Sequence, residues 1–169
     1  LARQFDVGQR VVAAAVRADQ GQAAFGVTSG DIELRSLVAD SKPITLAGHK
    51  GPITAICFIP AGLLSASTDK TLRLWKIDDG SLLGTWWRPL ESRALTRIEN
   101  DRVASGDDDG TIRIWPVESL TRTVGVEMLP PPSQELKGHA KAVTTLAATE
   151  ALKDRLISAS DDGRVRIWD

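Results

Sequence analysis

The clearest pattern along the chain is strict alternation of apolar and polar side chains over short runs. Leu72 and Leu74 flank Arg73, Ile112 and Ile114 flank Arg113, and Val165 and Ile167 flank Arg166. Successive side chains of an extended backbone point to opposite faces, so each run predicts a strand and not a helix. Just before each lies a second short run, at 63–67, 103–106 and 156–160, joined to the first by a tight turn of Asp and Gly type. That arrangement predicts one hairpin per unit. Farther upstream come an apolar segment (53–59 or 143–148), a Gly-His pair (Gly48-His49 or Gly138-His139), and a further short strand such as 44–46.

The units repeat. Asp69-Lys70-Thr71-Leu72-Arg73-Leu74-Trp75 returns forty residues later as Asp109-Gly110-Thr111-Ile112-Arg113-Ile114-Trp115, and fifty-three after that as Asp162-Gly163-Arg164-Val165-Arg166-Ile167-Trp168. A worn copy, Ser29-Gly30-Asp31-Ile32-Glu33-Leu34-Arg35, lies forty residues before the first, with Arg35 in the tryptophan's place. A period of about 20 to 50 residues marks solenoids and propellers, and four short strands per repeat is the count for a propeller blade.

A Gly-His pair followed by an Asp-Gly turn and a closing Trp is similar to the WD-repeat family of β-propellers. The resemblance implies an all-β fold of four-stranded antiparallel blades. Four repeats fall at about 8–35 (degenerate), 48–75, 88–115 and 138–168, with an insertion loop at 116–133, in one propeller segment over 1–169. Such rings close with seven or eight blades, so the expectation is a segment of a larger ring. The missing blades would come from the same full-length chain or from a second copy. Residues 1–7 read as an outer strand ahead of Gly8, complementary to a last blade that lacks one.

Composition narrows the function. Lys+Arg 21 against Asp+Glu 22 leaves a net charge of -1, which argues against nucleic acid as the default partner. Cys57 stands alone, so no internal disulfide or cysteine-rich metal cage can form, and a reducing, intracellular (cytoplasmic) setting is expected. No apolar run reaches the roughly 18 residues of a membrane span.

His49, Ser65 and Asp69 have the residue types of a hydrolase triad, and His139, Ser158 and Asp162 repeat them. An enzyme needs one strained site with an oxyanion hole, whereas a set recurring at the same place in successive blades points to architecture. The family resemblance implies a buried hydrogen-bond network of His49, Ser65, Asp69 and Trp75, of Ser105, Asp109 and Trp115, and of His139, Ser158, Asp162 and Trp168. In the first repeat Gln9, Phe25 and Ser29 replace its members. In the third, Arg88-Pro89 stands where Gly-His would be, which predicts an incomplete network and a looser blade. Asp107-Asp108-Asp109-Gly110 fails as an EF-hand loop, because the twelfth position falls on Pro116 where a bidentate Glu is needed. Neither metal nor cofactor is expected.

The reading is therefore a non-catalytic protein–protein interaction scaffold, or the sensor module of a larger signalling protein. The alternative is a substrate-positioning domain of a multidomain enzyme whose catalytic part lies elsewhere. The resemblance also implies that the Gly-His loops and the Asp turns open on one rim, where the candidate partner-binding residues are Thr68, Asp108, Asp161, Lys50 and Lys141. Of Trp86 and Trp87, in a predicted outer strand, one must point away from the buried face and either pack under a loop or anchor a partner. Pro130-Pro131-Pro132 excludes a central strand there and predicts a loop with a stiff, extended end.

Overall fold

The structure, a computed structural model, describes residues 4–99, 101–122, 125–148 and 155–169. It is a four-bladed β-propeller. Blade 1 comprises β1 (Val11–Arg17), β2 (Gln22–Val27), β3 (Ile32–Ser36) and β4 (Ile44–Leu46). Blade 2 comprises β5 (Ile53–Ile59), β6 (Gly62–Ser67), β7 (Thr71–Trp75) and β8 (Leu82–Trp87). Blade 3 begins with β9 (Ser92–Ile98), β10 (Arg102–Asp107) and β11 (Ile112–Pro116). A short helix α1 (Val117–Thr121) and strand β12 (Gly125–Met128) intervene before β13 (Gln134–Leu136) completes blade 3. Blade 4 comprises β14 (Val143–Ala148), β15 (Leu156–Ser160) and β16 (Val165–Trp168).

Neighbouring strands within each blade pair antiparallel. Each of the four inner strands carries a register shift near its start, between Val11 and Ala13, Ile53 and Ala55, Ser92 and Ala94, and Val143 and Thr145. Bulges of this kind sharpen the local twist. The inner strands pack in sequence, β1 on β5, β5 on β9 and β9 on β14.

The core is divided among three junctions, one between each pair of consecutive blades. Ala24, Ile32, Leu34 and Leu46 of blade 1 meet Ile53, Ile56, Phe58, Leu63 and Trp75 of blade 2. Leu64, Ala66, Leu72, Leu74 and Trp86 of blade 2 meet Val103 and Trp115 of blade 3. Ala104, Ile112 and Ile114 of blade 3 meet Val143 and Leu156 of blade 4, with Leu146 and Trp168 packed alongside. Each blade therefore has a leading face, carrying the alternating apolar pair of its third strand, and a trailing face, which in blades 2 to 4 carries the closing Trp. This is how a sheet too thin to bury both its faces alone becomes stable by stacking.

Two expectations are corrected. The insertion is not a simple extended loop. Val117 and Leu120 of α1 are buried in the blade 2–blade 3 core, and β12 adds a fifth strand to blade 2, parallel to β8, with Met128 opposite Trp87. Residues 4–7 do not provide an outer strand to this chain's own last blade. Residues 4–7 carry no strand, and Phe5 instead lies under the Arg35 guanidinium, 5.1 Å from its ring centroid to Cζ, while Arg35 Nη2 donates to the Asp6 carbonyl at 2.9 Å. Positions 1–3 lie outside the described residues.

Candidate interaction surface

The structural networks must be separated from the surface before the surface can be read. In blade 2 His49 lies buried between the loop entering β5 and the β6–β7 hairpin. Its Nδ1 is 2.9 Å from Asp69 Oδ2 and its Nε2 2.8 Å from Ser65 Oγ, which also accepts from Trp75 Nε1 at 2.8 Å. One proton arrangement satisfies every atom: Trp75 N–H donates to Ser65, the Ser65 hydroxyl donates to His49 Nε2, and His49 Nδ1–H donates to Asp69. That arrangement needs a neutral imidazole, and burial lowers the His49 pKa against the opposing pull of Asp69. Burial pushes the Asp69 carboxyl up, but hydrogen bonds from the Thr71 hydroxyl, the Lys50 amide and His49 outweigh it and hold the group at about 2.

Blade 4 repeats the geometry. His139 Nδ1 is 3.0 Å from Asp162 Oδ2, its Nε2 2.8 Å from Ser158 Oγ, and Trp168 Nε1 donates to Ser158 Oγ at 2.9 Å. Amide donors from Ala140 and Arg164 and the His139 ring hold Asp162 low against its desolvation. These Ser-His-Asp sets have the distances of a catalytic triad, but Ser65 is fully buried and its oxygen already accepts an indole N–H. No substrate carbonyl can reach it.

Blade 3 does not have the predicted gap. Arg88 is buried and fills the imidazole's place from one residue earlier in the chain. Its Nη1 donates to Ser92 Oγ and, at 3.2 Å, to Ser105 Oγ, and its Nη2 pairs with Asp107. Asp107 is fully buried, accepts from Ser92 Oγ at 3.0 Å and also pairs with Arg113. The buried acid of this blade is thus Asp107, not the Asp109 that the repeat implied. Asp109 sits at the margin, 2.9 Å from Arg113 Nη2. Trp115 does not reach Ser105; its Nε1 donates to the Pro130 carbonyl at 2.9 Å, and Arg88 lies over its ring at 5.2 Å. The acidic signal at 107–109 was visible in the sequence, but its pairing with an arginine nineteen residues upstream was not.

With those residues assigned to the interior, the rim is what remains exposed. The equivalent turn residue of each blade is fastened to the loop entering its own blade. Thr68 N donates to the Pro52 carbonyl at 3.1 Å, Asp108 N to Glu91 at 3.0 Å, Asp161 N to Ala142 at 3.0 Å and Thr28 N to Arg10 at 3.3 Å. The turns of blades 1 and 3 also abut the next blade's loop: a Cβ on Gly30 would lie 2.8 Å from the His49 carbonyl oxygen, and one on Gly110 2.6 Å from that of His139. Turns and Gly-His loops therefore form one continuous surface. Thr68, Asp108, Asp161, Lys50 and Lys141 are all exposed on it. Trp86 and Trp87 are not part of this rim. Trp86 is fully buried in the blade 2–blade 3 core, its Nε1 without a hydrogen-bond partner among the described residues, while Trp87 is 45% exposed beside β12.

A depression of about 660 Å³ lies among the inner strands, lined in part by Arg17, Asp19, Cys57 and Arg97, a site not anticipated from the sequence. Burial pushes the Cys57 thiol up to about 12, so it stays protonated. Among the described residues no group of His, Cys, Asp and Glu is placed to hold a metal ion, and no helix is long and apolar enough to cross a membrane.

Comparison with known proteins agrees with this geometry. The family described as "WD domain, G-beta repeat" matches residues 41–76, 94–116 and 130–169. Mitochondrial division protein 1 of Schizosaccharomyces pombe is 33% identical over 72% of the chain, which covers 20% of that protein. Ribosome biogenesis protein YTM1 of Meyerozyma guilliermondii is 29% identical over 72% of the chain and 26% of its own length. The chain thus spans about a quarter or less of these relatives. Among solved structures, the computationally designed Ika4 protein superposes with a TM-score of 0.73 at 22% identity, over 99% of this chain and 98% of that one. The designed Ika8 protein superposes at 0.68 and 24% identity, over 94% of this chain but 45% of that one.

Proposed function

From the premise that this chain belongs to the WD-domain, G-beta repeat family, we propose that it is a non-catalytic platform whose rim of turns and Gly-His loops binds a protein or peptide partner. The observation that carries the reading is the division of polar side chains: those with catalytic residue types are buried and mutually satisfied, while Thr68, Asp108, Asp161, Lys50 and Lys141 stand exposed on one continuous rim. Asp108 and Asp161 weight blades 3 and 4 toward acid, and Lys50 and Lys141 offset part of it. The chemistry fits a basic or mixed-charge segment, drawn in electrostatically and held by polar contacts. Relatives named for ribosome biogenesis and mitochondrial division support a role in assembly, and the lone, buried Cys57 suits an intracellular setting.

The test is fluorescence-anisotropy titration of a lysine-rich peptide against the native chain and Asp108→Lys/Asp161→Lys. The double variant should bind at least about threefold more weakly at low salt, and the difference should shrink as salt rises through the Debye-screening range. Unchanged binding at low ionic strength removes the rim as the site.

A further inference from the structure

We propose that the outer corner of blade 2, around Trp87, Met128 and Lys70, is a docking site for an extended, acidic segment of a partner protein that lays an apolar side chain on the Trp87 ring. Blades 2 and 3 each have a blade packed on both faces, so what stays exposed on them is not waiting for a neighbouring blade. Their exposed large apolar side chains, among the described residues, are Leu82, Leu83, Trp87 and Met128. All four lie on β8 or on β12, the strand added to it. None falls on blade 3.

Register explains the concentration. Thr71, Trp87 and Met128 lie opposite one another across β7, β8 and β12, so they share one face, the one that carries Arg73 and Trp75 and is turned toward blade 1. Blade 1 has four strands and blade 2 has five. Blade 1 comes close to this face at Gly48, beside Arg73, and at Ile44 and Leu46, beside Gly80. Trp87 and Met128 lie farther out and form an uncovered ledge, and an exposed tryptophan is the side chain interfaces most often use as an anchor. The ledge ends on β12, which is the last strand of its sheet and pairs with no strand on its outer side among the described residues. Such an edge takes an extended segment through main-chain hydrogen bonds. The outer strand of blade 3 is guarded instead, since Glu135 of β13 pairs with Lys137 and Arg113 along it.

Charge selects the sign of the segment. Arg113 of blade 3 is tied to Asp107, Asp109 and Glu135. Its counterpart Arg73, and Lys70, have no carboxylate at ion-pair distance among the described residues. Asp69, nearest in sequence, is taken up by the Thr71 hydroxyl, the Lys50 amide and the His49 ring. Lys70 stands at the Trp87 end of the sheet, where its carbonyl accepts from the Arg88 amide at 2.9 Å. It stands there under strain, at φ 64° where blades 3 and 4 have glycine, and strain of this kind collects where a side chain serves binding. Asp78 and Asp79 lie toward the opposite end of β8, and Asp79 is paired with Lys76. Two cations beside an apolar ledge attract an acidic segment and repel the basic one that suits the rim, so the two sites are distinct.

The test is fluorescence-anisotropy titration of a labelled short peptide of alternating glutamate and leucine against the native chain, Trp87→Ala, Lys70→Gly and Asp108→Lys/Asp161→Lys. Trp87→Ala should weaken binding at least about tenfold with strand circular dichroism unchanged, the scale of a lost aromatic anchor. Lys70→Gly should weaken it about threefold at low salt, and less as salt rises, while the melting temperature does not fall. A lysine that only supported the fold could not separate those two readouts. The rim double variant should bind the peptide no more weakly than the native chain does. The proposal is overturned by a native chain that does not bind the peptide, by Trp87→Ala binding it unaltered, or by a lysine and leucine peptide that binds equally well and is lost on Trp87→Ala. An oligothymidylate held at this corner more tightly than the peptide would assign it to nucleic acid. A doubled light-scattering mass that Trp87→Ala abolishes would assign it to a second copy, and either result overturns the proposal as well.

Discussion

In blade 2 the space between the Gly-His loop and the hairpin turn holds an imidazole, a hydroxyl, an indole N–H and a carboxylate, and only the carboxylate is charged. In blade 3 the corresponding space holds a guanidinium and a carboxylate, both charged and both buried, with a serine on each side. The backbone they support is the same hairpin. The two differ in how they fail: a neutral hydrogen-bond relay loses one or two bonds when a member is removed, whereas a buried ion pair leaves a bare charge.

The largest expected effect follows from that difference. Asp107→Ala leaves Arg88 buried without its counter-ion and should cost about 3–5 kcal/mol, measured as the loss in chemical-denaturation free energy. A cost near that of a surface substitution would mean that blade 3 does not depend on the pair. In blade 2, His49→Ala and Asp69→Ala should each cost about 1–3 kcal/mol, and the double variant clearly less than their sum, because both remove the same relay. Full additivity would break the network interpretation.

The relay should also make blade 2 sensitive to acid. The folded state holds His49 neutral below the pH at which the unfolded chain takes up a proton, 6.5 for an ordinary histidine. Its contribution is therefore complete above that pH and is lost as pH falls through 6.5 toward the lowered folded value. Asp69 adds to the loss further down: its stabilisation is full above the ordinary 3.8 and disappears as pH falls through about 2. Denaturation midpoints should drop between pH 7.5 and 5, and His49→Gln should reduce that drop. An unchanged slope in the variant would assign the acid sensitivity elsewhere.

Smaller effects sharpen the comparison at the turns. The position after the turn's acid takes positive φ, supplied by Gly110 at 81° and Gly163 at 77°, while blade 2 places Lys70 there at 64°. Lys70→Gly should stabilise by about 0.5–1 kcal/mol in thermal melts, since only glycine adopts that region freely. A decrease in melting temperature would show that the lysine side chain matters more than the backbone. Smallest of all, Asp108→Ala should shift stability by no more than about 0.5 kcal/mol, in contrast to its buried neighbour Asp107.

Much of this was legible from the chain alone. Alternation and the forty-residue period placed β5, β7, β14 and β15, and the repeated Ser-His-Asp-Trp set located the hydrogen-bond networks of blades 2 and 4. Those features are encoded locally, in side-chain periodicity and in turns of a few residues. The site was less legible. Which of three consecutive aspartates lies inside was decided by Arg88, which is distant in sequence and carries no motif. Which of Trp86 and Trp87 faces the core was decided by the pleat of β8 against blade 3, since period two leaves the choice of face open until a neighbour is present. The added strand β12 likewise arises from an insertion without strong alternation, held by its partner β8. Sequence by itself determined the repeat, the strands and the buried relay, because these follow from short-range chemistry. Only tertiary structure decided which apolar faces are covered and which, at Trp87 and Met128, are not, because burial depends on the surface brought opposite each blade and not on the blade's own residues.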